Sequence, residues 1–148
     1  QAIMMLGYHN LQKWVALMLF AKESHDIKSD PLLEKATVRG LIMESLANNI
    51  TSNRAKGDSA FIAGILSLAD TLLGMPIDSI ISELNLSKEI YDALAKREGL
   101  LGNLLFIIES FEKDGLDNIH DMLDEYRLDL KDLLAAETKA ITDFEHIN

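Results

Sequence analysis

Cysteine is absent from the 148 residues, which excludes disulfides and thiolate metal sites and suits a reducing cytoplasm. Proline is almost absent as well, at two residues, while hydrophobic residues make up 48%. That balance favours one ordered helical domain with a real core over a disordered chain. Positive charge is in deficit: 14 Lys and Arg stand against 24 Asp and Glu, a formal net charge of −10. Such a surface repels phosphates, which argues against nonspecific binding to nucleic acid or to an anionic membrane, although not against a small local basic pocket. No apolar run has the length needed to span a bilayer, and no signal-peptide architecture is visible. No segment keeps up the apolar–polar alternation of a half-buried strand.

Most of the motifs that carry chemistry are missing too. The eight glycines are scattered as helix stops and packing positions rather than gathered into a phosphate loop. Glu-x-x-His, the repeating unit of di-iron bundles, does not occur. The tract from Asp117 to Asp132 is acidic but lacks the Gly and the terminal Glu of a calcium loop, and reads as a solvated face. Arg54 and Lys56 lie in a short polar connection, Ile50 to Gly57, that reads as a solvated loop. His25-Asp26 sits in the polar stretch Glu23 to Ser29, outside any helical context, and is not read as a metal site.

What is present is organised around Ser59 to Pro76. From Ala60 to Leu73 this stretch is apolar on almost every side, so as a helix it must be wrapped by other helices. Ser67, Asp70 and Thr71 interrupt it, and their i, i+3, i+4 spacing puts them on one narrow polar face. Asp58 or Ser59 is the expected cap of this helix, and Gly74-Met75-Pro76 ends it and starts the next.

Around it the pattern predicts an all-α bundle of seven or eight helices. Gln1 to Leu6 reads as the tail of a helix, and Leu11 to Ala21 as a second with Leu11, Trp14, Val15, Met18 and Leu19 on one stripe. Trp14 reads as core rather than as a stacking platform. Asp30-Pro31 opens a helix to Asn48 or Asn49, whose stripe of mostly small residues, Ala36, Gly40, Met43 and Ala47, permits close packing on the central helix. Ile77, Ile80, Ile81 and Leu84 form a short amphipathic helix. Ser87 caps another with Ile90, Ala93 and Leu94 inward and Gly99 as its stop. Leu100 to Lys113 is strongly apolar and closes at Gly115. Leu116 to Tyr126 and Asp129 to Glu145 read as two more helices, the last with Leu130, Leu133, Leu134, Glu137, Ile141 and Phe144 in its stripe. Ala2, Ile3, Met5 and Leu6 are too apolar for a free surface, so an upstream segment, a symmetry mate or a second subunit is expected to cover them, which leaves a homo-oligomer open.

Several of these stretches resemble one family. Ala60-Phe-Ile-Ala-Gly-Ile-Leu66 is similar to the approach to the His-Asp pair in HDOD domains, relatives of the HD phosphohydrolases and HD-GYP domains. Leu6-Gly7 with Leu11-Gln-Lys-Trp-Val-Ala-Leu17, and Phe111-Glu-Lys-Asp-Gly115, resemble two further segments of that family. Ser67-Leu-Ala-Asp70 stands where the family's His-Asp-Ile-Gly would fall, and Lys35 stands where an earlier histidine would fall. The form with Leu66 to Pro76 resembles the degenerate HDOD domain that follows EAL domains in bacterial cyclic-di-GMP signalling proteins. The similarity runs from about Ala2 to Phe144.

The resemblance implies a single HD-like helical domain over residues 1–148, the C-terminal part of a longer protein. It implies no catalytic residue, no bound metal and no cofactor, because His9, His25, His120 and His146 lie away from the two helices that would carry ligands. The expected function is a catalytically inactive signal-transduction module that works by protein–protein contact, with an attached EAL-type cyclic-di-GMP phosphodiesterase as partner. A small-molecule or nucleotide sensor that reuses the old cavity is the alternative. At the vestigial site, Lys35 and Arg39, one turn apart, are expected to face Asp70, with Ser67 and Thr71 supplying hydrogen bonds.

Overall fold

The computed structural model describes residues 31–74, 76–84, 86–115 and 119–146. These residues form eight helices and, among them, no strand. The order is α1 (Pro31–Thr51), α2 (Arg54–Leu66), α3 (Ala69–Leu73), α4 (Ile77–Leu84), α5 (Lys88–Lys96), α6 (Gly99–Asp114), α7 (His120–Glu125) and α8 (Leu130–Glu145). The all-α architecture expected from the periodicity is the one observed. The expectations on Gln1 to Asp30, including Trp14, the cap at Asp30 and the apolar start of the chain, lie outside the described residues.

The core is built on the pair α1 and α2, the most extensively packed helices, with α8 and α6 against other sides of α1 and α5 against α2 and α6. Ala36, Met43 and Ala47 are fully buried, as is α2 from Ala60 through Leu66. The small-residue stripe does what its composition suggested. A Cβ on Gly64 would lie 2.5 Å from the Cα of Gly40, and one on Gly40 would lie 2.9 Å from the carbonyl oxygen of Phe61. The two backbones therefore touch where α1 and α2 cross, and only glycine fits there.

The stretch Ile50 to Gly57 is not a loop. Helix α1 continues to Thr51, whose hydroxyl donates to the Ala47 carbonyl at 2.8 Å, and Ser52 reverses the chain at φ 53°. Asn53 then caps α2, its side chain accepting from the amides of Ala55 at 2.9 Å and Lys56 at 3.4 Å. The polar run was thus two helix ends in contact, and the cap is Asn53 rather than Asp58 or Ser59. Asn53→Ala should cost about 1 kcal/mol, read as a lower urea midpoint at unchanged slope; an unchanged midpoint would show the cap to be idle.

The apolar stretch Ala60 to Leu73 is likewise two helices. It breaks at Ser67-Leu68, where the Ser67 hydroxyl donates back to the Gly64 carbonyl at 2.6 Å and Leu68 has left helical geometry at φ −112°, ψ 6°. A serine bonded to its own preceding turn is a recognised way to bend a helix. Gly74 then ends α3 in the left-handed region at φ 66°, as anticipated.

Later elements match closely in α4, where Ile80 and Ile81 are buried, and in α5, where Ser87 caps and Ile90, Ala93 and Leu94 face inward. One difference lies at the end of α5. Arg97 takes the left-handed capping conformation at φ 55°, two residues before Gly99. Another lies in α8, whose inward stripe is Leu133, Ala136, Ala140 and Phe144, while Leu134 and Ile141 are exposed. The helix turns its small residues toward α1, which lets the two approach, and leaves two larger apolar side chains outside.

Candidate functional site

Arg39 is the chemical centre of the bundle. It projects from α1 yet is only 4% exposed, and a charge held there needs a full set of partners. It has them. Glu112 on α6 receives the guanidinium in a bidentate grip, accepting from Nε at 3.2 Å and from Nη2 through its other oxygen. Nη1 donates to the Ser67 hydroxyl at 2.9 Å and lies 3.7 Å from Glu109 Oε2. A planar fork against a carboxylate is the geometry arginine supplies and lysine does not.

Glu109 extends the network to a second arginine. Arg97 donates to it through Nε and Nη2, both at 2.9 Å. The remaining Arg97 nitrogen, Nη1, caps its own helix, donating to the carbonyls of Leu94 at 2.8 Å and Ala93 at 3.2 Å. That interaction accounts for a non-glycine residue in the left-handed region, because it satisfies the last carbonyls of α5 while holding Glu109. Lys35, one turn before Arg39, reaches Glu112 at 3.6 Å with its side chain half exposed. Three cations thus surround two carboxylates drawn from one face of α6. Among the described residues no buried side-chain nitrogen or oxygen lacks a hydrogen-bond partner.

Of the five anticipated site residues, the structure joins Lys35, Arg39 and Ser67 in this network. It does not join Asp70 to them. The Asp70 carboxylate accepts from the amide of Thr71 at 2.8 Å, with the Thr71 hydroxyl at 3.5 Å, and the ion pairs of Lys35 and Arg39 go to Glu112 and Glu109 instead. The physical reason is the break at Ser67-Leu68. A continuous helix would carry Asp70 on the same face as Ser67, but the kink resets the phase and puts Asp70 in the first turn of α3. Glu112 lay within a segment singled out in the sequence, Phe111 to Gly115, while Glu109 and Arg97 carried no signal beyond their charge.

The chemistry open to this arrangement is narrow. Among the described residues the Ser67 hydroxyl is paired with the Gly64 carbonyl and the Arg39 guanidinium, neither of which is a general base. Among the described residues no group of three His, Asp or Glu side chains is placed to hold a metal ion, and no helix is long and apolar enough to cross a membrane. His120 and His146 are exposed on α7 and at the end of α8; His9 and His25 are outside the described residues.

The chain is 31% identical over 133 residues to the cyclic di-GMP phosphodiesterase CdgJ of Vibrio cholerae, covering 90% of this chain and 30% of that protein. It is 27% identical over 125 residues to the uncharacterized protein YuxH of Bacillus subtilis, covering 82% of this chain and again 30% of the relative. The chain therefore spans about a third of the length of both. No family model and no solved structure matches it. The first relationship makes the chain a distant homologue of part of a cyclic di-GMP phosphodiesterase.

Proposed function

We propose that this chain is a catalytically inert HDOD-type module that signals through protein–protein contact, and that its partner is an EAL-type cyclic-di-GMP phosphodiesterase domain of the same polypeptide. The similarity to part of CdgJ supports the signalling context. The observation that carries the reading of inertness is Arg39: where the resemblance expects metal ligands on facing helices, a buried guanidinium is held by Ser67 and Glu112. A divalent cation would meet like charge at that point. The lack of cysteine suits a reducing compartment, and this reading places the module in the cytoplasm.

The test is direct. Manganese, magnesium or zinc at micromolar concentration should leave the melting temperature of this chain unchanged, and cyclic di-GMP should not be hydrolysed in their presence. A specific stabilisation of several degrees, the mark of ligand binding to the native state alone, would overturn the proposal, as would metal-dependent turnover.

A further inference from the structure

Among the described residues four large apolar side chains are exposed, Tyr91, Phe106, Leu134 and Ile141, and two of them fall on α8. Tyr91 and Phe106 stand singly on α5 and α6, as scattered surface side chains do. Leu134 and Ile141 are two helical turns apart and share one face. Exposed Ala135, Thr138 and Thr142 complete that face, on the side turned away from the buried stripe of α8. From Leu134 to Thr142 the face carries no charge, in a chain that is 26% charged. Glu137, half-buried, and Lys139, paired with Asp143 along the helix at 2.7 Å, border it.

Opposite charges close its two ends. Lys131 lies seven residues before Thr138 and Glu145 seven residues after it, and both are exposed. A second copy laid antiparallel, with Thr138 on the two-fold axis, sets each Lys131 opposite a Glu145, about 10 Å from the axis. The same operation brings Leu134 of one copy against Ile141 of the other, and Ala135 level with Ile141 on the smaller side of the seam. We infer that the outer face of α8 is an isologous interface, and that its occupant is a second copy of this chain. The charge order is what selects that occupant, because an unrelated partner has no need of a face that reads as its own complement. The inference uses α8 alone and stands apart from the proposed function. One pair of 16-residue helices buries less than the roughly 1,200 Å² of a standard interface, so the dimer is weak and concentration-dependent.

Sedimentation equilibrium of the whole chain from about 10 to 500 µM should show reversible monomer–dimer exchange. Lys131→Glu and Glu145→Lys should each weaken it by about tenfold, and the two together should restore it, because opposite charges face each other again. Leu134→Glu should abolish the dimer and leave the melting temperature of the dilute monomer unchanged. The chain has no cysteine, so Thr138→Cys introduces a single thiol on the axis, where oxidation should join two copies. Asp121→Cys, exposed on α7, should not cross-link under the same oxidant. A chain that stays monomeric through about 500 µM would overturn the inference. A dimer that survives Leu134→Glu, or that the paired charge reversal fails to restore, would do the same. So would a Leu134→Glu monomer that melts several degrees early, because the face would then be covered from within the chain.

Discussion

Glu112→Leu should destabilise the chain by about 3 kcal/mol, and Arg39→Met by less. The order follows from where each charge sits. The Arg39 side chain is 5% exposed and that of Glu112 is 27% exposed. Removing the carboxylate strands a buried guanidinium whose remaining partners are a serine hydroxyl and Glu109 at 3.7 Å. Removing the guanidinium leaves two carboxylates that water can reach, and Lys35 still lies beside Glu112. The penalty belongs to the isolated charge more than to the bond. The double variant Arg39→Met with Glu112→Leu should accordingly recover most of the loss, since an apolar pair of similar volume often matches a buried ion pair. Lys35→Ala should change stability by less than about 1 kcal/mol, as expected for an exposed partner. Urea titrations of the four variants decide the matter. Equal losses in the two single variants that add in the double would show the network to be a set of independent surface pairs.

The same residues show which parts of the molecule were legible in the sequence. Helix existence and inward faces followed from periodicity wherever one side was clearly apolar, as in α4 and α5. The small stripe on α1 correctly announced a close crossing. The break inside Ala60 to Leu73 was hidden because the apolar run resumes after Ser67 at Leu68-Ala69, so the serine read as part of a polar face, and periodicity records burial rather than hydrogen bonding. In α8 the larger side chains misled: Leu134 and Ile141 outweigh Ala136 and Ala140 in hydrophobicity, but packing distance to α1 selected the alanines. At the site, Lys35, Arg39 and Ser67 were recognised from spacing and resemblance. Their counterion was assigned to Asp70 because it shares the polar stripe of Ser67 and the resemblance would set that stripe opposite them, whereas the carboxylate observed is Glu112, 73 residues beyond Arg39. A helix face can be read locally, but the carboxylate that a buried arginine chooses is decided by how distant helices pack.

That packing depends on Gly64, and Gly64→Ala should be among the most damaging small substitutions in the chain. An alanine in a helix interior ordinarily gains about 1 kcal/mol over glycine. Here the added methyl would lie 2.5 Å from the Gly40 Cα and 2.8 Å from its nitrogen. Backbone atoms of a packed helix have no rotamer through which to yield, so α1 and α2 must separate. Their separation loosens contacts along the buried faces of both helices, including Ala36, Met43, Phe61 and Ile65. Overpacking of this kind costs roughly 1–3 kcal/mol, and an obstacle that is entirely backbone belongs at the upper end. Gly57→Ala provides the comparison within the same helix. The three atoms nearest its methyl all belong to the side chain of Asn48, with Oδ1 at 2.2 Å, and that exposed amide can rotate away. Gly57→Ala should therefore be neutral or slightly stabilising, while Gly64→Ala lowers the melting temperature by several degrees. The separation of α1 from α2 should also weaken the reach of Arg39 to Ser67, so Gly64→Ala and Ser67→Ala should combine to less than the sum of their separate losses. A Gly64→Ala variant that melts with the wild type would mean that the two backbones do not meet at this crossing.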